Sequence, residues 1–352
     1  MHDLVAEWSE RIRAAAATGE PLALRGSGSK DFYGMTRESP VLDTRSHRGI
    51  LDYEPTELVV TARAGTPLAE LEAVLAGQGQ MLAFEPPHFG PGATLGGAVA
   101  CGLSGPRRAA AGSVRDFVLG VRILDGRGDE LAFGGKVMKN VAGYDVSRVM
   151  VGAMGTLGLL LDVSLKVLPV PARETTLRFE LSQEEAIRRM NAWAARPHGI
   201  SATWHEARTL SVRLSGTGEG VEESAHRLGG ERMADSAEFW RDVREQRWDS
   251  DAGGSVLWRI AVKSTTPPLP LPGAPTIEWN GALRWLRTGA DPMLVREVAR
   301  KAGGHATCFR GASETVPAFH ALPEPLMRLH TRLKAAFDPA RVLNRGRLYP
   351  EL

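Results

Sequence analysis

Between Pro91 and Pro169 the chain repeatedly places glycine where a strand stops and a turn begins. The stretch reads PGATLGG, then GSVRDFVLGVRILDGRGDEL, then KNVAGYDVSRVMVGAMGTLGLLLDVSLKVLP. Glycine in such places lets the backbone take φ > 0 or lie against something flat and large. Clusters this dense point to a long polar cofactor threaded across several loops rather than to one point of contact.

Composition narrows the classes. The chain has 352 residues, 43% of them hydrophobic, enough for one large core or two ordinary ones. A net charge of +2 gives no footprint for nucleic acid or for an anionic membrane surface. The two cysteines, Cys101 and Cys308, form no CxxC pair, which argues against a zinc or iron–sulfur site built from this chain alone. It also suggests free thiols in a reducing compartment. The first residues read as an amphipathic helix rather than a secretory leader. No apolar run is long enough to span a bilayer. The expectation is a cytoplasmic protein without direct membrane insertion, whose contact with the inner membrane, if any, runs through partners.

Periodicity predicts a helix over 4–17, a strand over 21–26 and strands within 49–65. Thr66 is expected to cap a helix with Pro67 at its first position. QMLAFEPP reads as a strand, 117–133 as a hairpin around DGRG, and TLGLLLDVSLKVLP as a long strand. After Pro169 come the strand ETTLRFEL and a helix opened by a Ser182/Glu185 capping box. The strands ISATWHE, TLSVRLSG, SVLWRIAV, ALRWLRTG and HATCFR follow, with helices over 219–230, 235–248 and 292–302. A last helix, PEPLMRLHTRLKAAF, leads into the tail DPARVLNRGRLYP. This order lacks the regular βα rhythm of a doubly wound sheet, so the fold class is α+β. The boundary falls at 170–173.

Candidate site residues follow from the glycine loops. Gly26, Ser27, Gly28 and Ser29 come directly after a buried strand, and consecutive N–H groups in such a turn form an anion nest. They match neither GxGxxG nor GxxxxGK[ST], so the common nicotinamide and P-loop readings fail. Pro91, Gly92, Thr94, Gly96 and Gly97 stand at a helix start that a planar ring could approach. Ser104 and Gly105, Ser113 and Asp116, then Gly143, Gly158 and Leu159 continue the series. Close packing of helix on sheet explains any one of these glycines, but explains the ordered series poorly.

The order RGSGS, PGATLGG, GSVRDFVLGV, KNVAGYDVSRVMVGAMGTLGLLLDVSLKVLP and FDPARVLNRGRLYP resembles the FAD-linked oxidases of the vanillyl-alcohol oxidase/PCMH superfamily. Within it, the chain is similar to FAD-binding subunits of glycolate oxidases. The resemblance is specific over 20–170 and 303–350 and loose over 172–300. It implies a two-part PCMH-type FAD-binding domain at 1–170 and an α+β cap domain at 171–352, with the tail 338–350 returning to the flavin. It further implies that Gly26, Ser27, Gly28 and Ser29 hold the pyrophosphate. Pro91, Gly92, Thr94, Gly96 and Gly97 would lie along the isoalloxazine and ribityl, and Ser104, Gly105, Ser113 and Asp116 along the ribityl and phosphates. Gly143, Gly158 and Leu159 would approach ribose and adenine, and Asn344 would bring the tail back. Some relatives anchor FAD through a histidine in the first loop; Arg25-Gly26-Ser27-Gly28-Ser29-Lys30 has none, so FAD is expected to be non-covalent.

The pattern also breaks. Catalytic 2-hydroxyacid dehydrogenases of this kind carry an HxGDGNxH metal motif. Here His198 and His205 have the spacing without the GDGN interior. In the late region His305 and Arg310 are followed by Ala312, which cannot ligate a metal. No catalytic residue and no metal site is assigned. The resemblance therefore implies an FAD-carrying subunit of a multi-subunit glycolate oxidase or dehydrogenase. Its partners would be a catalytic flavin subunit and an iron–sulfur subunit, with glycolate, and D-lactate as a further candidate, as substrate of the complex. Two alternatives stay open: a stand-alone flavin-dependent 2-hydroxyacid dehydrogenase, and a structural subunit with an empty ancestral flavin site. Trp240, Trp248, Trp258 and Trp285 serve either as partner anchors or as core.

Overall fold

The computed structural model describes residues 3–35, 38–135, 145–249 and 255–352. The first half runs α1 (Leu4–Thr18), β1 (Ala23–Arg25), β2 (Val41–Asp43), β3 (Ile50–Glu54), β4 (Val59–Arg63), α2 (Leu68–Ala76), β5 (Gln80–Met81) and α3 (Leu95–Cys101). It continues with α4 (Arg108–Ala111), α5 (Val114–Phe117), β6 (Val118–Leu124), β7 (Glu130–Gly134), α6 (Val146–Val149), β8 (Leu159–Lys166) and β9 (Leu168–Pro169). An antiparallel sheet of order β3-β4-β8-β6-β7 is its centre. The apolar residues on both sides of β8 have a direct cause, since both of its faces are covered. Leu160, Val163 and Leu165 pack with α2, α3 and α5. Leu159 and Leu161 pack with Trp8 and Ile12 of α1 and with Val342 and Leu343 of the tail.

The second half runs β10 (Arg173–Glu180), α7 (Gln183–Ala194), β11 (Ile200–Glu206), β12 (Thr209–Gly216), α8 (Gly218–Leu228), β13 (Glu231–Arg232) and α9 (Ser236–Glu245). Then come β14 (Val256–Ala261), β15 (Thr276–Glu278), β16 (Leu283–Thr288), α10 (Pro292–Lys301), β17 (His305–Arg310) and α11 (Glu324–Phe337). Its strands make an eight-stranded sheet of order β13-β10-β12-β11-β15-β16-β14-β17. Helices beside antiparallel sheets make the chain α+β, as its pattern predicts.

Two bodies of contact join the halves. One is aromatic: Phe309 of β17, itself against Trp285 of β16 at a centroid distance of 4.9 Å, meets Tyr33 and Phe32 of the first half at 5.1 and 5.4 Å. The other is ionic. Glu85 reaches Arg213 of β12 at 2.8 Å, and Arg107 reaches Glu174 of β10 at 2.5 Å.

Several expectations need correction. Thr66 does not cap α2; its hydroxyl is taken by the N–H and carbonyl of Gly49, and Pro67 occupies the cap position without a side-chain bond. QMLAFEPP is a strand only at Gln80–Met81, and Glu85 within it turns into left-handed backbone with φ of 47°. Ser182 accepts the N–H of Glu185, but the Glu185 carboxylate turns to Arg188 and Arg189 instead of closing the box. The short strands β2 and β15 lie in segments for which the sequence suggested no element. Trp240, Trp258 and Trp285 are buried and Trp248 partly so, all within the packed interior rather than displayed as anchors.

Candidate cofactor-binding site

β1 delivers the chain to Gly26, and the first loop turns at Gly28, where φ is +78°. Asp31 N–H closes onto Gly28 carbonyl at 3.0 Å, and Ser29 N–H reaches Ser27 Oγ at 3.4 Å. Among the described residues no protein acceptor takes up the N–H of Gly26, Ser27 or Gly28. Three successive free N–H groups form a concave positive cradle. The loop is held against the start of α3, where a Cβ on Gly26 would stand 2.5 Å from Thr94 Oγ1.

Thr94 caps α3 by accepting the N–H of Gly97 at 3.2 Å. The two following glycines have different reasons. A Cβ on Gly96 would stand 2.7 Å from Ala64 Cβ, and its N–H donates to Ala64 carbonyl, so it is a packing glycine. Gly97 has only Thr94 Oγ1 nearby, at 3.1 Å, and its open side is where a flat group could approach.

These elements enclose a cavity of about 400 Å³, within the range of small-molecule sites. Of the residues expected from the sequence, it brings together Gly26, Ser27, Gly28, Ser29, Thr94, Gly96, Gly97, Gly158, Leu159 and Asn344. Asn344 is a splice rather than a reaching group. Its Oδ1 accepts Leu24 N–H at 2.7 Å, its Nδ2 donates to Met154 carbonyl at 2.6 Å, and its φ is +42°. Gly158 lies where a Cβ would stand 2.9 Å from Leu124 carbonyl, so β8 can enter the sheet against β6.

Other expected residues lie outside the lining. Pro91 is exposed, and Gly92 backs the first loop, with a Cβ position 3.2 Å from Ser27 Cβ. Ser104 Oγ accepts Val114 N–H at 3.0 Å. Gly105 accepts Trp279 Nε1 at 3.1 Å and abuts Glu85 carbonyl. Ser113 and Asp116 close a capping box on α5, with Ser113 N–H to Asp116 Oδ2 at 2.7 Å. Gly143 lies outside the described residues.

Charged residues that pattern reading passed over also line the cavity. Arg25 pairs with Asp31 at 2.5 Å, and Arg347 donates to the carbonyls of Lys30 and Asp31, each at 3.2 Å. Lys30 sits beside Cys101, and burial pushes its ammonium below and the Cys101 thiol above their usual ranges. Each of these cations adjoins a motif already singled out, RGSGSK or LNRGRLYP, which is the signal that could have found them. Free N–H groups, guanidinium and ammonium charges and an open glycine face fit the diphosphate and flat ring of a dinucleotide.

The histidines are placed elsewhere. His205 is buried on β11 with Nε2 3.1 Å from Leu181 carbonyl, and His305 is exposed on β17. Arg310 lies over Phe32 at 3.8 Å from the centroid. Among the described residues no group of three or more His, Cys, Asp or Glu is arranged to hold a metal ion. Burial raises the Glu278 carboxyl to about 7, although it accepts the Trp285 indole N–H at 2.9 Å.

Comparison with known proteins agrees with this geometry. Residues 4–134 match a family described as an FAD binding domain. The glycolate oxidase subunit GlcE of Escherichia coli (strain K12) is 48% identical over 343 residues, 97% of this chain and 97% of that one. The glycolate oxidase subunit GlcD of Bacillus subtilis (strain 168) is 32% identical over 160 residues, 45% of this chain and 34% of its own length. Among solved structures, an alkyldihydroxyacetonephosphate synthase superposes with a TM-score of 0.64 at 16% identity, covering 96% of this chain and 74% of that one. That last likeness is one of fold alone. With nearly half of the residues shared along almost the whole of both chains, the protein belongs to the GlcE family of glycolate oxidase subunits, FAD-linked oxidases of the PCMH type.

Proposed function

We propose that this chain is the FAD-carrying subunit of a multi-subunit glycolate oxidase or dehydrogenase. In this reading residues 1–170 form the FAD-binding domain and 171–352 the cap. A sister flavin subunit oxidises glycolate, an iron–sulfur subunit passes the electrons on, and the complex is cytoplasmic, meeting the inner membrane only through its partners. Among the described residues no helix is long and apolar enough to cross a membrane. The observation that carries the reading is the pairing of a prepared cofactor cradle with a closed seam. The seam between the sheets is a natural place for a substrate. Here the Phe309 ring fills it, in contact with Tyr33, Phe32 and Trp285.

When bound, FAD supplies two-electron acceptance and one-electron release. The residues of this chain bind and orient. The N–H groups of Gly26, Ser27 and Gly28 offer three donors to a diphosphate, and Thr94 keeps α3 aimed at the same point. Gly97 leaves the ring space, and the aromatic seam excludes water on the cap side. The cavity lining holds no histidine, and Cys101 is kept as a neutral thiol, which supports non-covalent binding.

The test is to purify the chain with and without its partner subunits. Acid denaturation of the chain alone is expected to release free FAD. Glycolate should bleach the flavin rapidly only in the assembled complex. Fast, complete bleaching of the isolated chain would establish a stand-alone dehydrogenase instead. A colourless chain that takes up no FAD would leave the structural-subunit reading.

A further inference from the structure

Lys30 is the one residue of the cradle whose charge the fold leaves unanswered. It is 6% exposed and lines the cavity. Its ammonium meets only neutral acceptors, Ser29 Oγ at 3.4 Å and His88 carbonyl at 3.2 Å, with the Phe89 ring 5.7 Å away. Among the described residues it makes no ion pair. Glu245 is the carboxylate in its field, but that group already accepts the N–H groups of His88 and Phe89 at 3.1 and 2.8 Å and the Arg244 Nε at 2.8 Å. The other cations of the cavity are answered. Arg25 pairs with Asp31, and Arg347, besides its two carbonyls, lies in the field of the same Asp31.

A buried ammonium without a counter-charge is strongly disfavoured unless an anion joins it. Among the described residues no carboxylate reaches it, and the cavity it lines is shared with the first loop. There the N–H groups of Gly26, Ser27 and Gly28 are also unmet. Ammonium plus successive backbone donors is the donor set that phosphate oxygens take.

We propose that Lys30 is the counter-charge of the cofactor's pyrophosphate, completing with the Gly26–Gly28 N–H groups one diphosphate site. The proposal rests on the FAD reading above and adds a residue to it. Burial acts in the same direction, since it pushes the ammonium below the usual lysine range until an anion restores it.

The test uses Lys30→Met and Lys30→Arg in the full chain, with flavin removed, and three probes: FAD, ADP and riboflavin. Lys30→Met should bind both FAD and ADP about 10- to 100-fold more weakly, the loss expected for one charge-assisted contact. Riboflavin, which lacks phosphate, should bind both proteins alike, and Lys30→Arg should keep most of the affinity. Without cofactor, Lys30→Met should melt at or above the wild-type temperature, because an unmatched buried charge is gone. A merely structural lysine would lower that temperature.

Equal FAD and ADP affinity in Lys30→Met overturns the proposal. So does a loss for FAD with none for ADP, which would move the ammonium to the ring. A wild-type chain that binds neither FAD nor ADP defeats the cofactor reading itself, a separate outcome.

Discussion

At the seam between the sheets, Arg107 and Arg213 are buried and each is met by carboxylates, Glu85, Glu174 or both, with Ser215 and Ser201 accepting a further N–H from each. Around Gly26–Lys30 three N–H groups and one ammonium are buried or half-buried without such answers. Both regions are polar and both lie inside the molecule. The charges of the seam are matched by folding, whereas the ammonium of the cradle is not. Buried polar groups in native proteins are nearly always satisfied, so a cluster of unsatisfied donors marks a place where something else binds.

The largest test of this contrast sets one substitution against itself at two sites. Lys334 is buried with three acceptors, Thr156 carbonyl at 2.7 Å, Asp338 Oδ2 at 2.8 Å and Leu343 carbonyl at 2.8 Å. Lys334→Met would strand Asp338 inside and should cost about 3–5 kcal/mol in urea unfolding. Lys30→Met should not destabilise the cofactor-free protein. If both variants lost similar stability, the distinction between matched and unmatched charge would collapse.

A somewhat smaller effect concerns pH. The Glu278 carboxyl is raised to about 7 by burial, above an unfolded value of 4.5. The folded state therefore holds the extra proton between these values, and stability falls as pH rises from 4.5 through 7. The expected loss is about 3 kcal/mol. Unfolding measured across this range should show the slope in the wild type and lose it in Glu278→Gln. An unchanged slope in the variant would assign the effect to another group.

The two glycines of α3 sharpen the comparison further. Gly96→Ala presses on Ala64 and should destabilise the cofactor-free chain by about 1–3 kcal/mol. Gly97→Asp should leave that stability near wild type yet lower flavin content, because its side chain enters the cavity. Gly28→Asp is a poorer probe, since φ of +78° and the Arg25 guanidinium already oppose a side chain there. Smallest is Thr94→Ala, which removes the α3 cap and should cost about 1 kcal/mol by thermal or urea melts.

The glycine loops and the paired signals of strand and turn were enough to read an α+β chain with a loop-built site for a long polar cofactor, and the resemblance of the motif order to FAD-linked oxidases implied a dinucleotide. These are local properties: a free φ, a run of N–H groups and an alternation of apolar residues act over a few positions. Where each glycine's missing Cβ points is not local. Gly96 and Gly97 are neighbours in the same motif, yet one packs on Ala64 and the other faces open space. Ser104, Gly105, Ser113 and Asp116 sit in equally glycine-rich sequence, but distant partners such as Trp279 and Val114, or each other, use their polar groups. Asn344 looks like a ligand residue and instead stitches the tail to Leu24 and Met154. Lys30 looks like a surface lysine at the end of a polar turn. Only the approach of the His88 loop and Cys101 buries it, and burial is what turns an ordinary charge into one that requires a counter-charge.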